Sequence, residues 1–276
     1  MSKIKRTMAW ILGIVLCHHA MAFFLQRQIL FPGTSISPAA VPIPDGTLRL
    51  EPAGNPEGAH AFLMPPLGKT HGSSPLLVYA HGNAEFAEWN FDLVEPYRRA
   101  GFHVLIPEYR GFGQAGGSPT MEAILADVTG HIEQAKLRPD VDGTHVVYHG
   151  RSLGGGVLGT VAGRLLPDRL ILEASFSSVA SMARGFAVPS YLIRDNFSPA
   201  AALGGPYTGP VLILHSQDDE VIPFRESSRN LAAATGNPRR TPSTPATRIE
   251  GPSGSGHNDS CLLRSTEDVL SFALGR

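Results

Sequence analysis

From residue 60 onward the chain alternates short apolar runs with longer segments of helical spacing. LLVYA at 76–80, HVVYH at 145–149 and VLILH at 211–215 are continuous apolar stretches rather than alternating ones. Runs of that kind, rich in β-branched and aromatic residues, mark strands buried on both faces. The pattern predicts strands at His60–Met64, Leu76–Ala80, His103–Ile106, His145–His149, Leu170–Glu173, Val211–His215 and Thr247–Glu250. It predicts helices near 85–99, 120–137, 153–165, 224–235 and 262–274. Strands alternating with helices imply an α/β fold, a doubly wound and mostly parallel sheet covered on both sides.

Two stretches depart from the alternation. Residues 174–210 are too irregular for another strand-helix unit and are expected to lie above the strand ends as a short partial cap. There Phe176, Phe186, Tyr191 and Leu192 either line an apolar pocket or fill a core. TGNPRRTPSTPAT at 235–247 reads as a mobile surface connection.

The N-terminal end has its own pattern. Lys3, Lys5 and Arg6 precede an apolar run, Met8 to Leu25, interrupted only by His18 and His19. Eighteen helical residues span about 27 Å, enough for a bilayer core. The basic flank favours a cytoplasmic N-terminus, so the body that follows is expected to be exported, periplasmic or extracytoplasmic, and tethered to the membrane. Ala20-Met21-Ala22 is a small-x-small site, so cleavage and secretion is the alternative. Leu16 is too bulky for a lipid-modified Cys17. The expected organisation is an anchor or signal sequence at 1–25, a proline-rich tether at 26–45 and one folded domain at 46–276.

Composition narrows the partners. The chain has 276 residues, 42% hydrophobic, with a net charge of −1. Nothing in that balance calls for nucleic acid. Two cysteines, Cys17 and Cys261, support neither a disulfide framework nor a four-ligand zinc site. His145 and His149, four residues apart along one strand, lie about 13 Å from each other, too far to share an ion. No metal and no organic cofactor is expected.

The chemistry concentrates in VVYHGRSLGGGVLG, residues 146–159. Gly150-Arg151-Ser152-Leu153-Gly154 puts a serine where a strand must turn sharply into a helix, with glycines letting neighbouring backbone approach. The helix N-terminus behind it favours developing negative charge, and the Leu153 N–H points the same way. Serine is a poor nucleophile without a base. His257, in the glycine- and serine-rich loop GPSGSGHNDS, is the candidate. Asp219, after the strand VLILH, is favoured over Asp218 and Glu220 to orient that imidazole. A second oxyanion donor is expected from YAHGNAE at 79–85, where Gly82 allows close approach and Asn83 or Ala84 supplies the N–H. His81 reads as a hydrogen-bonded scaffold residue.

These motifs together resemble the α/β-hydrolase superfamily: His81-Gly82-Asn83, Gly150–Gly154, Asp219 to Pro223, and Gly256-His257-Asn258-Asp259. QRQILFPG (26–33), EYRGFG (108–113) and RDNF (194–197) look more narrowly like a membrane-anchored branch. Its members carry serine aminopeptidase-like, lysophospholipase-like or dienelactone-hydrolase-like labels. The resemblance covers residues 26–275, with one departure: Ser216, where that branch usually has glycine. It implies a serine hydrolase that cleaves ester or thioester bonds of small-molecule or lipid substrates through an acyl-enzyme. An aminopeptidase or amidase using the same residues, or a non-catalytic interaction protein on the same fold, are the alternatives.

Two motifs are set aside. Gly111-Phe-Gly-Gln-Ala-Gly116 matches G-x-G-x-x-G, but Pro107 to Arg110 separate it from its strand and no helix opens directly on it. Asn196-Phe-Ser198 and Asn258-Asp-Ser260 match a glycosylation pattern, and a glycan at Asn258 would crowd the proposed base.

Overall fold

The computed structural model describes residues 3–52, 57–68, 72–241, 243–259 and 267–276. Among these, eight strands form one sheet in the order β1-β2-β4-β3-β5-β6-β7-β8. The strands are β1 (Leu48–Leu50), β2 (Ala61–Met64), β3 (Ser74–Ala80), β4 (His103–Pro107), β5 (Val141–Arg151), β6 (Arg169–Glu173), β7 (Val211–His215) and β8 (Ala246–Glu250). From β4 to β8 all neighbours are parallel; β1 and β2 pair antiparallel at one edge. This is the doubly wound, mostly parallel sheet the pattern predicts. β1 has no counterpart among the predicted strands: three residues, Leu-Arg-Leu, are too short to show a period.

The central strands bury both faces, as their continuous apolar runs require. Leu76, Val78, Ala80, Tyr148, Leu170 and Ile213 pack under α3 (Met121–Lys136), α4 (Leu153–Val161) and α7 (Arg225–Thr235). Their alternates Leu77, Tyr79, Val147, Ile171 and Leu212 pack on the other face with α2 (Glu95–Arg99) and α8 (Glu267–Leu274). Each fully buried leucine, isoleucine or valine contributes about 1.5–3 kcal/mol over the exposed state.

Three predicted elements differ in extent. The helix expected over 85–99 is a 3-10 turn at Ala87–Asn90 followed by the short α2. Pro96 has no N–H to continue a helix from the preceding turn, so it sits in the first turn of a new one. The helix expected over 153–165 stops at Val161, two residues before Gly163. Only 267–274 of the expected last helix, and not Cys261, falls within the described residues.

The segment after β6 carries α5 (Val179–Arg184), a 3-10 turn at Ser190–Leu192 and α6 (Pro199–Leu203). Phe176 is buried here, whereas Phe186 and Tyr191 are exposed (71% and 80%) and so fill no core. Asn237, at the start of the supposedly mobile 235–247 connection, is buried. Its Nδ2 lies 2.8–3.3 Å from the carbonyl oxygens of Leu203, Gly205 and Tyr207.

The apolar N-terminal run lies within α1 (Lys3–Leu30), a helix long and apolar enough to cross a membrane by length and composition. Trp10, Ile14 and Phe24 are exposed on it. His19, Ala22, Phe23, Gln26, Arg27 and Leu30 are half-buried. Their spacing of three and four residues is one helical face, laid against the folded body.

Candidate active site

Ser152 stands between β5 and α4 with φ 51° and ψ −115°, a conformation that a side chain rarely adopts. The turn is held from both sides. Ser152 N–H donates to the Glu173 carbonyl at 2.8 Å, and Ser175 Oγ donates to the Ser152 carbonyl at 3.0 Å. The flanking glycines follow from packing. A Cβ at Gly150 would lie 2.3 Å from the Gly154 carbonyl oxygen, and one at Gly154 only 2.0 Å from that of Ala80. Side chains at these positions would push α4 away from β3 and β5, so the sharp strand-to-helix turn depends on both.

The structure brings His257 to this serine. His257 Nε2 lies 3.2 Å from Ser152 Oγ, and Nδ1 lies 2.8 Å from Asp219 Oδ2. All three residues are buried. Asp219 follows β7, and its Oδ1 accepts the N–H groups of Val221 (2.9 Å) and Ile222 (2.7 Å). Burial pushes the Asp219 carboxyl up, but hydrogen bonds from the His257 ring and those two amides outweigh it and hold the group below the ordinary carboxylate range. An ionised carboxylate on Nδ1 keeps that nitrogen protonated and turns the Nε2 lone pair toward the serine.

Asp218 has a different partner: its Oδ2 accepts the Gly254 N–H at 2.7 Å, on the loop that carries His257. Glu220 holds that loop too, through the His257 N–H at 3.0 Å. The departure at Ser216 also serves the loop, since its hydroxyl donates to the Ser255 carbonyl. Three consecutive acids therefore grip one loop, and only the middle one reaches the imidazole.

On the other side of Ser152 runs the loop after β3. Leu153 opens α4 beside it, and the Ala80 and His81 carbonyls lie against Gly154. Asn83, half-buried, and Ala84, exposed, lie three and four residues beyond the strand. The Asn83 carbonyl accepts the Gly33 N–H at 3.1 Å. His81 is buried, with ring nitrogens 3.1 Å from Glu108 Oε1 and 2.9 Å from the Gly82 carbonyl. Tyr109 OH donates to the His81 carbonyl at 2.8 Å. Glu108 and Tyr109 thus brace this loop, which accounts for two residues of the EYRGFG motif.

Arg151, which the motif leaves as an arbitrary residue, is buried at the junction. It pairs with Glu85, and its Nη2 donates to Asn258 Oδ1 at 2.7 Å. Glu85 in turn accepts the Gly82 N–H at 3.0 Å. One guanidinium therefore ties the loop after β3 to the loop that carries His257. Sequence alone had no signal for this, because Glu85 and Asn258 lie 66 residues before and 107 residues after Arg151. Beneath it, His149 Nε2 is 2.9 Å from Glu173 Oε2 and Nδ1 is 2.7 Å from Tyr97 OH, so His149 belongs to a buried network.

A family model described as serine aminopeptidase, S33, matches residues 73–203. The chain is 30% identical over 194 residues to the uncharacterized protein YfhR of Salmonella typhi, covering 64% of this chain and 66% of that one. It is 32% identical over 188 residues to the lysophosphatidylserine lipase ABHD12 of Xenopus tropicalis, covering 58% and 47%. The chain thus spans less than two thirds of the length of these relatives. Among solved structures, Est1E from Butyrivibrio proteoclasticus superposes with a TM-score of 0.62 at 20% identity, covering 84% of this chain and 98% of that one. That likeness is one of fold. The chain has the α/β-hydrolase fold, and the family model matches just under half of it.

Proposed function

We propose that this protein is a serine hydrolase of carboxylic esters or thioesters that works through an acyl-enzyme. The observation that carries the reading is the position of His257, whose two ring nitrogens are within hydrogen-bond reach of Ser152 Oγ and Asp219 Oδ2. Ser152 Oγ attacks the carbonyl carbon and gives its proton to His257 Nε2. The oxyanion of the tetrahedral intermediate is held by the Leu153 N–H and by that of Asn83 or Ala84. Collapse expels the alcohol or thiol, which takes the proton from His257. Water then attacks the acyl group, His257 takes one of its protons, and the acid leaves as Ser152 regains its hydrogen. Asp219 stabilises the imidazolium in both halves without itself being protonated.

A relative titled lysophosphatidylserine lipase and an apolar N-terminal helix both favour a lipid ester. In this reading α1 anchors the protein in a membrane and the folded domain lies on the exported side. The family model's description as a serine aminopeptidase supports an aminoacyl substrate as the second reading.

The test combines a fluorophosphonate probe with p-nitrophenyl acyl esters of increasing chain length and aminoacyl p-nitroanilides. Labelling at Ser152, abolished in Ser152→Ala, together with ester turnover is the expected result. Preference for the anilides would favour the peptidase. Absence of labelling on folded protein would leave a non-catalytic interaction protein.

A further inference from the structure

The apolar run of α1 and the loop after α5 touch. His18 interrupts the apolar run seven residues before its end at Leu25. Its Nε2 lies 3.0 Å from the carbonyl oxygen of Phe186, an exposed loop residue. Further along the same helix, Gln26 Nε2 donates to the Leu192 carbonyl at 3.0 Å and Gln26 Oε1 accepts the Arg194 N–H at 2.7 Å. The Arg194 guanidinium lies over the Phe23 ring, 5.4 Å from its centroid. Arg27 closes the contact on buried Asp195 with bonds of 2.7 and 3.2 Å, and Asp195 also accepts the Met121 N–H that opens α3. Two motifs singled out from the sequence, QRQILFPG and RDNF, thus meet each other here.

We propose that the loop 184–193 enters the bilayer beside α1, with Phe186 and Tyr191 as its inserted side chains. This rests on α1 being a membrane anchor. If Met8–Leu25 spans the hydrocarbon, His18 lies about 10 Å inside the end of the apolar run on the side of the folded domain, at 1.5 Å per residue. A residue bonded to it lies at a similar depth. The bond also answers what a histidine does there, since a polar group in hydrocarbon needs a partner and an Nε2–H donating to Phe186 supplies one.

The loop's composition fits the same position. Phe186 and Tyr191 are exposed, and Arg184, Arg194 and Arg225 stand exposed around them. Aromatic tips flanked by arginines suit a segment that crosses the boundary between acyl chains and lipid phosphates. Since the segment leaves β6 immediately after Glu173, whose carbonyl holds Ser152 N–H, insertion sets the rim carrying Ser152 toward the lipid.

The full chain in phosphatidylcholine vesicles tests this through tryptophan emission, using lipids brominated at a shallow or a deep acyl position. With Trp89→Phe, Trp10 alone reports on α1, independently of the loop. With Trp10→Phe and Trp89→Phe as background, Phe186→Trp and, separately, Tyr191→Trp report on the loop. The expected result is loss of emission from Trp10 and from both loop reporters, all shifted to the blue, with Phe186→Trp, at the depth of His18, lost more in deep brominated lipid and Tyr191→Trp, beside the Gln26 contact, lost more in shallow. Quenching of Trp10 without quenching of either loop reporter overturns the insertion and leaves the anchor standing. Absence of quenching at Trp10 overturns the anchor, and the insertion with it.

Discussion

The turn around Ser152 and the segment 174–203 are neighbours at one rim of the sheet, yet they are held by different forces. The turn is fixed by backbone meeting backbone: glycines at 150 and 154 admit carbonyls where no Cβ fits. The segment is fixed by carboxylates, one of its own reaching out and one reaching in from α7. Asp195 joins α1 to α3, and Glu226 on α7 accepts from Ser177 N–H (3.0 Å), Ser177 Oγ (2.5 Å) and Ser181 Oγ (3.0 Å). The difference teaches that Ser152 stands on a turn that charge does not adjust, while the approach to it depends on ionised side chains. Changes in the turn should therefore be severe and insensitive to pH, and changes in the approach milder and titratable.

The largest effect is expected at the imidazole. Asp219→Asn should lower kcat by about 10⁴-fold, because the amide no longer selects the right tautomer. Asp218→Asn, which alters only a loop contact, should stay within about twofold. Steady-state ester kinetics on both variants checks this, and equal losses would assign the orienting role wrongly. Next comes the turn. Gly154→Ala should destabilise the fold by about 3–5 kcal/mol or prevent folding, since its Cβ meets the Ala80 carbonyl. Thermal unfolding reads this directly, and a fully stable variant would break the comparison.

Arg151→Gln should reduce kcat by about 10²-fold with a much smaller change in KM, as expected when reacting groups are misplaced rather than binding lost. A pure KM effect would instead make Arg151 part of the substrate pocket. Within the approach, Asp195→Asn should cost about 1–3 kcal/mol and loosen α1 from the body, seen as faster proteolysis between residues 184 and 198.

The smallest effect carries the sign. Burial pushes the Glu226 carboxyl up, but the Ser177 and Ser181 hydrogen bonds and the Arg229 pair outweigh it and hold it below its usual range. A depressed carboxylate stabilises the fold fully above its unfolded pKa of about 4.3, and that contribution is lost as pH falls through the lower folded value. The stability gap between the native chain and Glu226→Gln should therefore be widest near neutrality, about 1 kcal/mol, and close in acid. Gly154→Ala should show no such closure.

Much of the fold was legible because buried parallel strands announce themselves. VLILH forms β7 over the predicted residues, Val211–His215, and the other expected strands fall within a few residues of theirs. β1 escaped because three residues carry no period. The helix expected over 85–99 failed because Pro96 divides what composition joins. In the site, Ser152 was marked by its glycines, and Asp219 and His257 by the elements just before them, since local turns write local signals.

What local patterns cannot express is convergence from far along the chain. Ser152 and the alternation that builds the sheet are properties of the sequence itself, because strand burial and sharp turns restrict the residues that form them. Only the tertiary structure decided that Asp218 and Glu220 hold the loop of His257, that Arg151 joins two loops, and that His18 lies against Phe186. Each of those depends on a side chain's direction after packing, and one residue of register along a strand end reverses that direction.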